Sequence, residues 1–388
     1  MKTSDLRAFW SEKMKFIIPT FEKIEWMPPT ITLFNKLVSM GHQIIYITIY
    51  PDNYFSDDNI QNVCLYKKNI SLQNKLPYIK GISGILWRID TLFKKIISHR
   101  LNKKISELMD KNSFLWVVNE MTVMFAGASF LKNRDYFFTI YELHNRNFAN
   151  RNIIKAARNA KKVVVPEYCR AHIMKAIFDL QKVPFVLPNK SDLPDNLEPN
   201  EESKRVINEL KALKNNNKKI ILYMGGINKE RPLELLLKAV EDSHEYKLVI
   251  LGRSSPYLEE LKNRFSNIYY LGYLKPPHHL SIVKHADIGL VLYVPINDNQ
   301  ALNAIFCAPN KIYEYSGNGI PMLSNDIPAL RLTIGNYKCG ELADFSDSED
   351  ILIALSKIEN NYSEYSKNAL KFYADTDIDE LISKIISQ

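Results

Sequence analysis

Residues 219–240 read KIILYMGGINKERPLELLLKAV. An apolar, β-branched run meets two glycines, then a short charged stretch with a proline, then an amphipathic series. A near-continuous apolar strand is covered on both faces, which is how strands of a parallel sheet are built. Gly225 and Gly226 let the backbone turn tightly and approach a ligand. Pro232 suits the first turn of a helix. The stretch therefore predicts a strand, a glycine turn and a helix, the unit of a doubly wound α/β domain.

The same alternation extends in both directions. Downstream lie YKLVILG (246–252), NIYYLG (267–272), DIGLVLY (287–293) and IPMLSN (320–325). Upstream lie KFIIP (15–19), QIIYITIY (43–50), NVCLY (62–66), FLWVV (114–118), YFFTIY (136–141) and KVVVP (162–166). Two such series predict two doubly wound Rossmann-like α/β domains. The proline-rich segment 183–203, VPFVLPNKSDLPDNLEPNEES, has no long apolar run and places the boundary near residue 187. The expected division is 1–186 and 187–370, with a terminal helix at about 371–388 packing back on the first domain. Ile378, Leu381, Ile382 and Ile385 share one face of that helix.

The unusual residues stand where strands end. Lys229 and Arg231 follow the glycines, beside an expected helix start whose free N–H groups favour phosphate. Residues 308–324, APNKIYEYSGNGIPMLS, predict a second helix start of that kind, with Lys311 as a cation and Glu314 one turn later. A carboxylate there accepts two hydrogen bonds from a vicinal diol, the usual way of holding a ribose. Together these groups suit a nucleoside diphosphate.

In motif order, KIILYMGGINKERPLELLLKAV, LVILGR, IYYLGYLKPPHHLSIVKHADIGLVLY and APNKIYEYSGNGIPMLSNDIPALR resemble family 4 of the glycosyltransferases. The likeness spans about residues 218–345 closely and the N-terminal half loosely. It implies the GT-B fold, two Rossmann-like domains facing a cleft, and transfer with retention of configuration. Glu314 matches the second glutamate of the family's E-x7-E element, which holds the donor ribose; the first falls on Phe306. The family's phosphate-binding arginine falls on Gly226, and its partner cation on Arg231. The resemblance also places the main-chain N–H groups of Ala308, Pro309 and Asn310 (Pro309 itself having none) by the phosphate and the transferred sugar, with the base near Arg253 and Tyr273. His144, after YFFTIY, matches a histidine that faces the cleft near sugar or acceptor. The expected catalytic residues are thus His144, Arg231 and Lys311. Gly225, Gly226, Lys229, Arg231, Arg253, Tyr273, Ala308, Pro309, Asn310, Lys311 and Glu314 are the expected donor contacts. The donor is a nucleotide-diphosphate sugar, UDP- or GDP-linked, with no cofactor or metal required and a donor phosphate oxygen taking the acceptor's proton.

Charge bears on the acceptor. Residues 1–186 hold 28 Lys and Arg against 15 Asp and Glu, whereas the remainder holds 23 against 28. A basic first half favours an anionic partner, such as the cytoplasmic face of a membrane carrying a lipid-linked glycan. The amphipathic segment 85–111 fits either an interfacial helix or one that covers a sheet. No apolar run spans a bilayer, and the charged N-terminus does not read as a signal peptide. The expected location is cytoplasmic, at the inner membrane face, in surface-polysaccharide (capsule or O-antigen) synthesis. Nucleic acid is not expected, because no aromatic platform interleaves the basic residues. Cys64, Cys169, Cys307 and Cys339 form no CxxC and read as free thiols. A GT-B sugar-nucleotide epimerase and a non-catalytic nucleotide-sugar or nucleic-acid binder remain the alternatives.

Overall fold

The computed structural model describes residues 13–49, 54–66, 83–144, 150–194, 197–215, 218–229, 231–241, 245–295 and 301–387. The chain divides into two units, Met1–Pro188 with Ile378–Gln388, and Asn189–Asp377.

The first unit is built on a parallel sheet of β1 (Lys15–Pro19), β2 (Gln43–Thr48), β3 (Ile60–Cys64), β4 (Ser113–Val118), β5 (Tyr136–Thr139), β6 (Lys162–Val165) and β7 (Phe185–Val186). Their order is β3-β2-β1-β4-β5-β6-β7, so the winding reverses between β1 and β4. Buried residues of β1, β2 and β4, including Phe16, Ile18, Tyr46 and Trp116, pack against Ile378, Ile382 and Ile385 of the terminal helix Ile378–Ser387. That helix is separate from the preceding one, Tyr362–Asp375, because the chain leaves helical geometry at Thr376. In the helix Ser83–Leu108, Ile97, Leu101 and Ile105 recur every fourth residue and are almost wholly buried. This stretch covers a core. The side chains of Leu86, Trp87, Ile89 and Phe93 lie outside the described residues.

The second unit repeats the plan with β8 (Lys219–Met224), β9 (Tyr246–Leu251), β10 (Ile268–Tyr270), β11 (Ile288–Val291), β12 (Met322–Asn325) and β13 (Gly340–Ala343). All pairings are parallel and the order is β10-β9-β8-β11-β12-β13, with its reversal between β8 and β11. Successive residues of β8 enter different cores: Ile220, Leu222 and Met224 one, Ile221 and Tyr223 the other. Burial on both faces is why these strands are continuously apolar. Among the described residues no helix is long and apolar enough to cross a membrane.

Candidate functional site

In the second unit Arg231 and Lys311 stand near the C-terminal ends of β8 and β11, the reversal point where open parallel sheets bind ligands. The turn after β8 is held by Gly225, whose φ of 127° lies in the region favouring glycine. Close approach matters too, since a Cβ on Gly252 would stand 2.2 Å from the Gly225 carbonyl oxygen. The following helix is Glu234–Ala239. Pro232 therefore precedes the helix and is not in its first turn, and Glu234 places a carboxylate at its start. The cationic groups near this turn are side chains.

Those side chains are Arg231 and Lys311. Arg231 reaches back with Nη1 donating to the Gly226 carbonyl at 3.3 Å, and its guanidinium lies 4.8 Å from the Tyr293 ring centre. Lys311 Nζ lies 4.4 Å from the centre of Tyr223 and 5.7 Å from that of Tyr293. A Cβ on Gly225 would stand 3.4 Å from this amine, and one on Gly226 3.1 Å from Arg231 Nη1. Lys311 is 8% exposed. Burial first, and then repulsion from Arg231, lower its pKa to about 7, against attraction from Glu314 and Cys307. Among the described residues no carboxylate comes within 4 Å of Nζ.

The helix Asn310–Ser316 positions Lys311 and Glu314. Its inner face carries Ile312 and Tyr315; the Tyr315 hydroxyl donates to the Leu222 carbonyl at 2.8 Å. The ring lies so close to Gly289 that any Cβ there would clash at 2.5 Å. With Tyr315 fixed to β8, Lys311 and Glu314 are set on the neighbouring side of the helix. Glu314 is buried, its Oε1 3.5 Å from His279 Nε2. Pro309 precedes the helix in extended geometry, and the Ala308 carbonyl accepts from Asn189 Nδ2 at 2.8 Å.

Three expected donor contacts, Lys229, Arg253 and Tyr273, have partners outside this group. Lys229 is exposed and pairs with Glu260 at 3.8 Å. The Arg253 guanidinium stacks on Tyr273, 4.9 Å from its centre, at the ends of β9 and β10. In the first unit, His144 Nε2 lies 3.2 Å from Glu120 Oε1.

Tyr223, Tyr293, Asn325 and His279 were not expected here. Tyr223 donates to the Gly226 carbonyl at 2.6 Å, which closes the glycine turn. Asn325 clamps Tyr293 through both its amide atoms, accepting from the Tyr293 N–H at 3.0 Å and donating to its carbonyl at 2.7 Å. A tyrosine at a strand's C-terminal end was the available signal for the first two. Nothing local marks Asn325 as a partner of Tyr293. Among the described residues no cluster suited to a metal ion occurs.

Residues 206–373 match the family described as Glycosyl transferases group 1. No curated protein sequence matches the chain. Three solved structures share the fold over nearly their whole length. A glycosyltransferase from Rickettsia africae is 13% identical with a TM-score of 0.70, covering 97% of each chain. Sucrose-phosphate synthase from Thermosynechococcus elongatus is also 13% identical, with a TM-score of 0.66, covering 96% of this chain and 98% of that one. Anabaena HepE, solved with UDP and glucose, is 10% identical with a TM-score of 0.66, covering 96% and 99%. The architecture is that of the GT-B glycosyltransferases, and residues 206–373 carry a glycosyl transferases group 1 domain.

Proposed function

We propose that this protein transfers a sugar from a nucleotide-diphosphate donor to an acceptor hydroxyl, with retention of anomeric configuration, as a family 4 glycosyltransferase. One observation carries the reading. Arg231 and Lys311 share the Tyr293 ring, and among the described residues buried Lys311 has no ion-pair partner. Two neighbouring cations repel and lose hydration, and an anion bound beside them offsets that cost. A diphosphate has the right charge. Glu314, one turn beyond Lys311, accepts hydrogen bonds from the ribose diol, with His279 holding its carboxylate. UDP in HepE favours a uridine nucleotide, and a GDP-sugar is the other candidate.

In the reaction the bond from the anomeric carbon to the diphosphate oxygen breaks. A bond from the acceptor oxygen forms on the same face, and the acceptor's proton passes to a donor phosphate oxygen. Arg231 and Lys311 stabilise the charge that grows on the leaving diphosphate. His144 acts on the acceptor side. The basic composition of residues 1–186 favours an acceptor presented at an anionic membrane surface, a lipid-linked glycan in surface-polysaccharide synthesis.

The test incubates the full chain with a panel of UDP- and GDP-sugars and lipid-linked acceptors. It follows released nucleoside diphosphate and the anomeric signals of the product. Transfer with retention, lost in Arg231→Ala, is the expected outcome. Tight binding without turnover on every donor and acceptor makes the protein a binder, and interconversion of free nucleotide sugars makes it an epimerase.

A further inference from the structure

Two segments connect the second unit to the first. The chain enters it at Asn189 and leaves it at Asp377. Both segments converge on the helix Asn310–Ser316, which carries Lys311 and Glu314. On the entering side, Asn189 Nδ2 donates to the Ala308 carbonyl at 2.8 Å. That carbonyl belongs to the peptide bond with Pro309, whose ring fixes the approach to the helix. Four residues on, Leu193 reaches the far end of the same helix. A Cβ on Gly317 would stand 2.2 Å from Leu193 Cδ1 and 3.0 Å from the Tyr373 ring. On the leaving side, Phe372 of the helix Tyr362–Asp375 stacks on Tyr313, with ring centres 5.3 Å apart.

The two segments are also tied to each other. The Tyr373 hydroxyl donates to the Ser191 carbonyl at 3.0 Å and accepts the Leu193 N–H at 3.3 Å. Lys190 Nζ donates to the Tyr373 carbonyl at 2.6 Å and to the Thr376 carbonyl at 2.8 Å, and lies 3.8 Å from the Tyr373 ring centre. The last carbonyls of a helix have no partner within it, and a cation there also meets the negative end of the helix dipole. Hydrogen bonds from a charged donor hold more firmly than neutral ones. Adjacent residues thus do two jobs: Asn189 holds the entry to the donor helix, and Lys190 holds the departing segment.

We propose that Asn189 and Lys190 are positioning residues of the donor site, fixing the helix that carries Lys311 and Glu314 against both connecting segments, so that donor binding and the order of those segments are coupled. The inference rests on the reading of Lys311 and Glu314 as donor contacts and adds what governs how firmly they are held. The helix has only seven residues, so a shift at either end moves both side chains. Coupling of this kind is reciprocal. A nucleotide that orders the helix tightens the segments, and loosening the segments weakens the nucleotide.

The experiment uses the full chain, with UDP and GDP as probes. Asn189→Asp keeps the shape and sets an acceptor against the Ala308 carbonyl, whereas Lys190→Met keeps the length and removes both hydrogen bonds. Circular dichroism checks that both variants fold. Calorimetry should show nucleotide affinity about 5- to 50-fold lower in each. With the donor that the panel identifies, KM should rise by more than kcat falls. Hydrogen exchange supplies the second measurement. In the wild type, nucleotide should slow exchange about fivefold or more over 189–193 and 372–377 as well as 310–317. Without nucleotide, the variants should exchange faster over 310–317 while β9 is unchanged, which separates local loosening from lost stability of the unit. Unchanged affinity in both folded variants overturns the proposal. So do connecting segments that ignore a nucleotide protecting 310–317. If the wild type binds neither UDP nor GDP, the donor reading fails; faster exchange over 310–317 in the variants then still upholds the positioning, and unchanged exchange there overturns it as well.

Discussion

Replacing Lys311 with methionine tests whether its amine is kept for a ligand or for the fold. Methionine has a similar length and no charge. Burial, with Arg231 second, takes the amine from an ordinary 10.5 to about 7. At about 1.4 kcal/mol per unit, holding it protonated in the free fold costs about 5 kcal/mol at pH 6. The sign follows from proton counts. Between pH 7 and 10.5 the unfolded chain binds the proton and the folded chain has released it, so stability rises with pH. The penalty is full below pH 7, falls to about 2 kcal/mol at pH 9, and vanishes above 10.5. Methionine removes the penalty and forfeits the contacts with Tyr223 and Tyr293, about 0.5–2 kcal/mol each. The net expectation at pH 6 is a gain of about 1–4 kcal/mol, or several degrees in the unfolding midpoint of the second unit, at roughly 2–4 °C per kcal/mol. The assay is thermal unfolding of the full chain at pH 6 and pH 9, with and without UDP or GDP. Lys311→Met should melt higher at pH 6, show less than half that gain at pH 9, and lose the upward shift that the nucleotide gives the wild type. Destabilisation of equal size at both pH values would refute the argument, because it would mean that the fold itself satisfies Lys311. A nucleotide shift that survives in the variant would refute the diphosphate contact.

Other expectations follow from the same contacts. Glu314→Ala should raise the donor KM about 10- to 100-fold with a smaller change in kcat, as steady-state kinetics would record, since the ribose is bound alike before and during the reaction. Asn325→Leu removes both hydrogen bonds to the Tyr293 backbone and should cost about 1–3 kcal/mol in denaturant unfolding, with weaker nucleotide binding by calorimetry because Tyr293 no longer backs both cations. Ile382→Ala empties a fully buried position between the terminal helix and the first unit's core, and should cost about 2–5 kcal/mol in denaturant unfolding while leaving UDP or GDP binding by the second unit intact.

The architecture was legible because burial on both faces writes itself as uninterrupted apolar runs. Two strands escaped for physical reasons. β7 is only Phe185–Val186, and β13, GELA, is too short and polar for such a run. Helix starts were less legible, because Pro232 is compatible with the first turn but leads into it from outside. In the site, the glycine turn, Arg231, Lys311 and Glu314 could be read from residue types near strand ends. Lys229 had the same local signal, yet it turns to Glu260, since an exposed cation takes whichever partner is near. The aromatic floor had only a weak local signal, a tyrosine near the end of each of two strands. Tyr223, Tyr293 and Asn325 meet across β8, β11 and β12, and only the sheet order makes them neighbours.

The sequence resemblance left two vacancies, a glutamate at Phe306 and an arginine at Gly226, which suggested an incomplete donor site. The geometry changes the meaning of the second. The two glycines have no side chains to fill the space above the turn, and Lys311 enters it from the helix opposite, its amine 3.4 Å from where a Gly225 Cβ would stand. The group that a Cβ on Gly226 would meet is Arg231 Nη1, at 3.1 Å. On the proposed reading, the charge that the resemblance expects at Gly226 comes instead from side chains beside the turn, Arg231 and Lys311. Among the described residues no carboxylate stands in for the one expected at Phe306: His279 faces Glu314 but brings none. The departures are therefore unequal. On the proposed reading the diphosphate end has its two cations, and any altered selectivity should appear at the end of the donor that the missing glutamate would have touched.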